Sequence, residues 1–307
     1  MTNPIPSPSR FGRLLVTNEG TNREAYAPLD WTLLGSISLI WGASFLFIAV
    51  GLRSLEPGVI ASARVMLGAG ALAVFPAARR AIAPGDRSRV ILIGIVSQAA
   101  PALLFALAEE RIESALAGML VSATPILTAA LMTVITRRLP GKTQRLGLLV
   151  GFVGVIGLTL PSIADAGGSA VGIFYVVVAI SGYAFANVVY PPLQQTYGAL
   201  PVIMWALVAA SVILFPLGLL GLGGSTFEWG PVLAVVVLGV VGTGLARAMH
   251  MTLIGRVGPN RGAIAGYSIP VIALILGVTF LDETVQLIQI GGVVLVLIGS
   301  YLVSRKE

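Results

Sequence analysis

Long apolar stretches follow one another along the chain after residue 28, separated by polar residues or by Gly and Pro. A helix needs about 20 predominantly apolar residues to cross the hydrocarbon core of a bilayer. The pattern therefore predicts ten membrane-spanning helices, at residues 29–52, 57–76, 90–108, 114–135, 144–160, 170–189, 200–220, 231–249, 262–280 and 285–303. Residues 1–28 are polar and rich in Pro, Ser and Asn, and their apolar run is too short for a signal peptide. They predict a disordered tail.

The composition indicates that lipid is the solvent for most of the chain. Of the 307 residues, 56% are hydrophobic and 10% are charged, whereas a soluble domain typically has about 25% charged residues. The chain has no Cys and a single His, which excludes disulfides and the usual structural zinc sites. We therefore expect an all-α membrane protein without a metal, another cofactor or catalytic residues.

The distribution of basic residues predicts the orientation of the helices. If the amino terminus is cytoplasmic, 16 of the 19 Lys and Arg residues fall on the cytoplasmic side, Arg53 and Arg111 fall outside, and Arg64 lies within a helix. Cytoplasmic loops of membrane proteins carry such an excess. The sequence thus predicts a multi-pass protein of a bacterial-type inner (plasma) membrane with both termini, including the tail 1–28, in the cytoplasm. Because the basic residues are topology signals, we expect no nucleic-acid partner.

The second half of the chain repeats features of the first. At a constant offset of 145 residues, identical residues recur in the same order: Pro125 and Pro270, Gln144 and Gln289, Gly147 and Gly292, Gly154 and Gly299. A repeat with an odd number of helices inserts its second copy upside down. The sequence therefore predicts two inverted five-helix repeats, residues 29–160 and 161–307, around a central cavity, which is typical of secondary transporters.

Two groups of residues within these repeats carry a family resemblance. They are Trp41-Gly42-Ala43-Ser44-Phe45 with Arg64 in the first half, and Pro270, Asp282, Glu283, Gln289, Gly292 and Gly299 in the second. In these residues the chain resembles the drug/metabolite transporter superfamily, specifically its ten-helix EamA branch. The resemblance implies a basket of helices, alternating access, and export of amino acids or related metabolites, as in the YddG-like group. The family usually has an acidic residue after helix 4, where this chain has Arg137 and Arg138.

Polar and aromatic side chains within the predicted helices are candidates for the wall of a substrate cavity, because polar groups at membrane depth are costly. The amides of Gln98 and Asn187 both donate and accept hydrogen bonds, which suits a zwitterionic ligand. Hydroxyl groups such as that of Ser122 have the alternative of bonding to a carbonyl of their own helix. The predicted substrate-binding residues are Trp41, Ser44, Gln98, Ser122, Tyr183, Asn187 and Tyr267.

A second set of residues is predicted to have structural or gating roles. Arg64 is the charged residue well inside a helix, where it either braces the bundle or attracts a substrate carboxylate. Prolines at positions 101, 125 and 270 indicate either broken helices that line a cavity or simple kinks. His250 ends predicted helix 8, as an interfacial hydrogen bonder or a pH gate. The set is Arg64, Pro101, Pro125, Pro270 and His250.

These features favour a secondary transporter that exports amino acids or related small metabolites. A carrier for many drugs or for other metabolites is the alternative, although cationic drugs call for a buried carboxylate that most of the predicted helices lack. An intramembrane enzyme would need a nucleophile, an acid pair or a metal set at membrane depth, and a channel would need rings of polar residues. The expected partners are a small-molecule substrate and the lipid bilayer, with the protein a monomer or a weak homodimer.

Overall fold

The structure is a computed structural model that describes residues 27–136, 141–164, 168–257, 266 and 268–304. Within these ranges the chain is helical and has no β-strand. The helices are α1 (Pro28–Gly51), α2 (Pro57–Ala73), α3 (Pro84–Glu109), α4 (Ser114–Val121 and Thr124–Thr136), α5 (Lys142–Ala164), α6 (Gly168–Tyr197), α7 (Ala199–Gly221), α8 (Trp229–Val237, Leu238–Leu245 and Ala246–Val257), α9 (Ile269–Phe280) and α10 (Leu287–Ser304).

The helices have the properties of a membrane bundle. Among the described residues, seven helices are long and apolar enough to cross a membrane, namely α1 and α3 to α8. Three shorter apolar helices, α2, α9 and α10, accompany them. Large apolar side chains such as Leu149, Phe152 and Val212 point outward from the bundle, where water would be an unfavourable solvent. The prediction of an all-helical membrane protein is confirmed.

Several helices extend beyond their apolar stretches. The sequence predicts that the third helix begins at residue 90 and the sixth ends at residue 189, but α3 begins at Pro84 and α6 ends at Tyr197. Pro84 suits the first turn of a helix, where its missing N–H costs nothing. The added ends of the two helices meet, because the hydroxyl of Tyr197 donates to Asp86 at 2.8 Å. Hydropathy identifies the apolar part of each helix and not its polar ends.

The predicted end of the eighth helix is wrong. The sequence places that end at residue 249, with Arg247 and His250 at the membrane surface. In the structure α8 continues to Val257, so that both residues lie inside the helix. Polar residues lower the hydropathy of this segment, yet here they face the interior of the bundle instead of water.

Some predictions fall on residues that the structure does not describe. The tail is described only from residue 27 onward, and the basic pair Arg137 and Arg138 lies outside the described residues. The same holds for most of the beginning of the predicted ninth helix, residues 262–268, including Tyr267.

The helices pack in a regular set of pairs. Helix α2 packs on α7, α4 on α9, and α5 on α10. Helix α1 packs on α8 and α9, and α6 packs on α3 and α4. The α5–α10 contact is a contact between backbones: a Cβ atom added to Gly154 would lie 2.6 Å from the nitrogen of Val296, and one added to Gly299 would lie 2.5 Å from that of Gly151. Small residues allow this close approach between membrane helices.

Polar contacts join helices at each end of the bundle. At the end where α1 begins, Asp30 forms an ion pair with Arg256 near the end of α8. At the opposite end, the carboxylate of Glu283, which lies between α9 and α10, accepts hydrogen bonds from the backbone N–H groups of Ser114 (2.7 Å) and Ala115 (2.8 Å). A carboxylate is favourable here because the first turn of α4 has unsatisfied donors and a positive dipole end.

Candidate functional site

A cavity lies at the centre of the bundle, with a volume of about 950 Å³ when the open space at its mouth is included. Its walls come from α1, α2, α3, α4, α6, α8 and α9, and so from both halves of the chain. Substrate sites of secondary transporters lie where two halves of the chain meet. We therefore take this cavity as the candidate functional site.

The wall formed by α4 is interrupted after Val121. Pro125 has no N–H to donate to the carbonyl of Val121, one turn earlier. The hydroxyl of Thr124 donates to that carbonyl instead, at 2.6 Å. The hydroxyl of Ser300 on α10 donates to the carbonyl of Ser122, at 3.1 Å. These hydroxyls satisfy backbone groups that the break exposes, as the membrane interior requires.

The wall formed by α3 contains a π-helical turn, Ile95–Ala99, shortly before Pro101. A π turn next to a proline lets the helix continue although the regular i to i−4 bond is missing. Gln98 lies in this turn and lines the cavity. Its amide nitrogen donates to the hydroxyls of Ser97 (3.1 Å) and of Tyr190 on α6 (3.3 Å). Two helices therefore hold the orientation of the Gln98 side chain.

An arginine held between aromatic rings forms another part of the wall. The guanidinium carbon of Arg247 lies 4.9 Å from the ring centroid of Trp41 and 4.4 Å from that of Tyr183. The indole N–H of Trp41 donates to the carbonyl of Gly242 at 3.1 Å, which fixes the ring. Trp41 also meets His250 edge to face, with the centroids 4.8 Å apart. Such cation–π contacts are worth about 0.5–2 kcal/mol each.

A second arginine reaches the cavity from α2. Arg64 is only 8% exposed, and its Nε donates to the hydroxyl of Thr243 at 3.1 Å. That hydroxyl donates in turn to the carbonyl of Leu238, at 3.0 Å, within the π-helical stretch of α8. Glu109, the last residue of α3, is close enough to interact electrostatically with Arg64. Arg64 thus braces α2 against α8 while its side chain lines the cavity.

The structure brings together most of the predicted substrate-binding residues. Ser122 is not among them: it is 1% exposed and its hydroxyl donates to the carbonyl of Met119, at 2.5 Å. Tyr267 lies outside the described residues. The amide of Asn187 reaches the hydroxyl of Thr128 at 3.5 Å, at the limit of a hydrogen bond. The predicted residues that line the cavity are Trp41, Ser44, Gln98, Tyr183 and Asn187.

The residues with predicted structural or gating roles separate into two groups. Arg64, Pro125 and His250 line the cavity. Pro101 and Pro270 are buried and do not line it. Pro270 lies in the first turn of α9, where the N–H of a residue has no intrahelical partner. Pro101 lies inside α3, just after the π turn.

Two polar residues of the wall, Thr243 and Arg247, are not among the residues predicted from the sequence. The predicted eighth helix ends too early, which places Arg247 at the membrane surface instead of in the cavity. A signal was nevertheless present, because Thr243, Arg247 and His250 have the spacing i, i+4, i+7 and so share one helix face. Within the described part of the chain, no three His, Asp or Glu side chains are grouped so that they could hold a metal ion.

Several known proteins are similar to this chain over most of its length. A protein of Archaeoglobus fulgidus named as an uncharacterized transporter is 27% identical over 280 residues, which cover 90% of this chain and 99% of that protein. The uncharacterized inner membrane transporter YedA of Escherichia coli K12 is 28% identical over 297 residues, covering 89% and 92%. A probable amino-acid metabolite efflux pump of Salmonella typhimurium is 25% identical over 280 residues, covering 87% and 91%.

A solved crystal structure has a similar fold, with a TM-score of 0.59 at 16% identity over 89% of this chain and 96% of its own. The sequence profile of the EamA-like transporter family matches this chain twice, at residues 31–160 and at residues 170–305. The two matches together cover most of the chain. This multi-pass membrane protein therefore belongs to the EamA-like transporter family.

Proposed function

We propose that the protein is a secondary transporter that exports amino acids or related small metabolites by alternating access. The observation that carries this proposal is the central cavity, whose wall combines amide, hydroxyl and guanidinium groups with aromatic rings. Such a wall suits a ligand that has a polar group and an apolar side chain. The printed name of the Salmonella relative, a probable amino-acid metabolite efflux pump, supports this substrate class.

The proposal includes ten transmembrane helices arranged as two inverted repeats. The helix contacts support it, because they recur when five is added to each helix number. The pairs α1–α8 and α1–α9 correspond to α6–α3 and α6–α4, while α2–α7, α4–α9 and α5–α10 correspond to themselves. A pseudo-twofold axis between two five-helix units exchanges each helix of the first unit with the corresponding helix of the second. When such an axis lies within the membrane plane, the two units are inverted repeats. The proposed units are residues 29–160 and 161–307.

The proposed location is a bacterial-type inner membrane, with both termini in the cytoplasm. The excess of Lys and Arg in the tail and in alternate loops supports this orientation. The inner-membrane relative YedA supports the location.

Transport in proteoliposomes tests the proposal. Vesicles that contain the purified protein and a labelled amino acid should release it faster than protein-free vesicles. Gln98→Ala and Asn187→Ala should weaken the apparent affinity by about 5- to 150-fold, because each removes a hydrogen-bonding partner of a buried ligand.

Gln195→Ala is the matched control for Asn187→Ala. Gln195 lies on the same helix, is exposed and does not line the cavity, so transport by this variant should match the wild type. Wild-type transport by both cavity variants would rule out the proposed roles of Gln98 and Asn187.

A further inference from the structure

We infer that the cavity selects small organic anions that have one carboxylate and an apolar side chain, and that an α-amino group contributes little to binding. Amino acids are then one subclass of the ligands, and the corresponding acids without the amino group bind as well. This inference rests on the proposed transport function and names the substrate class of the same cavity.

The charged residues of the cavity wall are basic. Arg64 and Arg247 line the cavity, and none of the lining residues that the structure describes is Asp or Glu. Residues 258–265, which precede the lining residue Gly266, contain no acidic residue in their sequence. Two guanidinium groups in a confined space attract an anion. A cation would have to approach the same charges without a carboxylate to offset them.

Arg247 is the group that best fits the ligand anion. Its guanidinium carbon lies over the rings of both Trp41 and Tyr183, and within the described part of the chain it has no ion-pair partner. A guanidinium held over aromatic rings keeps its planar fork of N–H groups, which can pair with both oxygens of a carboxylate. The aromatic faces therefore fix the orientation of a cation whose hydrogen-bonding edge remains available.

Arg64 has a different environment. Its Nε is held by Thr243 at 3.1 Å, and Glu109, which does not line the cavity, lies within electrostatic range of it. The Glu109 carboxylate is inaccessible and accepts no hydrogen bond from the described residues. Arg64 therefore adds to the positive potential of the cavity, whereas Arg247 makes the direct contact.

The same aromatic rings disfavour a ligand ammonium group. Trp41 and Tyr183 line the cavity and could bind a cation, but both already hold Arg247. Phe45, Ile48 and Phe105 line another part of the wall and suit an apolar side chain. Among the described lining residues an amino group thus finds no carboxylate, and the two rings beside the guanidinium are already occupied by it, so removal of the amino group should cost little.

Binding of matched compounds to the full-length protein in nanodiscs tests the inference. Isothermal titration calorimetry would compare phenylalanine with 3-phenylpropionate and 2-phenylethylamine. A second set would compare leucine with 4-methylpentanoate and 3-methylbutylamine. Each set keeps one side chain and provides the amino acid, the acid without the amino group, and the amine without the carboxylate. We expect the acid and the amino acid of at least one set to bind within about threefold of each other, and the amine at least about tenfold more weakly.

Variants then assign the anion to Arg247. Arg247→Gln should weaken binding of both acids by about 10- to 100-fold, the range expected for a charge-assisted pair. Arg247→Lys keeps the charge without the planar fork and should show an intermediate loss, which also provides a result if the Gln variant does not fold. Arg89→Gln is the control, because Arg89 pairs with Asp86 away from the cavity and its loss should leave binding unchanged.

The possible outcomes separate this inference from the proposed function. Equal binding of the amine and the acid, unchanged acid binding by Arg247→Gln, or no binding of either acid would overturn the inference. If the acids bind as expected but neither the acids nor the amino acids cross proteoliposome membranes, the proposed transport is wrong while the ligand class stands. If amino acids are transported but the deaminated acids do not bind, the proposed transport stands and the inferred ligand class is wrong.

Discussion

Single hydroxyl groups compensate for the break in α4. Pro125 leaves the carbonyl of Val121 without a backbone donor, and Thr124 supplies one. Thr124→Val keeps the shape but removes that donor, so the free energy of unfolding should fall by about 1 kcal/mol. Thr133→Val is the control: its hydroxyl bonds to the carbonyl of Ala129 in a regular part of the same helix. Thermal unfolding in detergent measures the stability of both variants. Equal stability of the two would contradict the role of Thr124.

At the same scale, the chemistry of the side chain decided what could be predicted. Gln98 and Asn187 were identifiable because an amide at membrane depth needs partners beyond its own helix. Ser122 was ambiguous, since a hydroxyl can bond within its own helix, and here it does. Arg247 could not be identified as a cavity residue, because a polar residue lowers the local hydropathy equally whether it faces water or a polar cavity.

At the scale of helices, the glycines between α5 and α10 determine how closely two backbones approach. Gly299→Ala would place a Cβ atom 2.5 Å from the nitrogen of Gly151, so the helices must separate, at a cost of about 1–3 kcal/mol. Gly291→Ala on the same helix meets nothing within 4 Å and should preserve or slightly raise stability, because Ala favours a helix over Gly. Unfolding curves of the two variants check this difference. Equal destabilisation would mean that the contact is not close.

The helices themselves were predictable from their apolar stretches, whereas their irregular parts were not. The π-helical segments in α3 and α8 leave no periodic mark in the sequence, because they lie in long apolar stretches. Pro101 signals an irregularity near the first, but the second, Leu238–Leu245, contains no proline. Its glycines allow α2 to approach, as the neighbours of Gly239 and Gly244 demonstrate. Tertiary contacts, which sequence periodicity does not record, determine such segments.

At the scale of the whole molecule, orientation in the membrane remains a prediction from charge. Lys142 and Gly223 are exposed at opposite ends of the bundle. In intact cells, an impermeant thiol reagent should label Gly223→Cys and not Lys142→Cys, because the basic loops are expected in the cytoplasm. The native chain has no Cys, so there is no background labelling, and disrupted cells should label both variants. The reverse pattern in intact cells would invert the topology.

The position of Trp41 also has an optical consequence. The chain has four Trp residues, of which Trp31, Trp205 and Trp229 are 59%, 39% and 71% exposed, and Trp41 is the one that lines the cavity. Its indole rests against a guanidinium group that a bound anion would partly neutralise, and indole emission responds to nearby charge. The difference between the emission of the wild type and that of Trp41→Phe therefore isolates a single chromophore at the site. The fluorescence of Trp41 should therefore report ligand binding in the cavity without an added label.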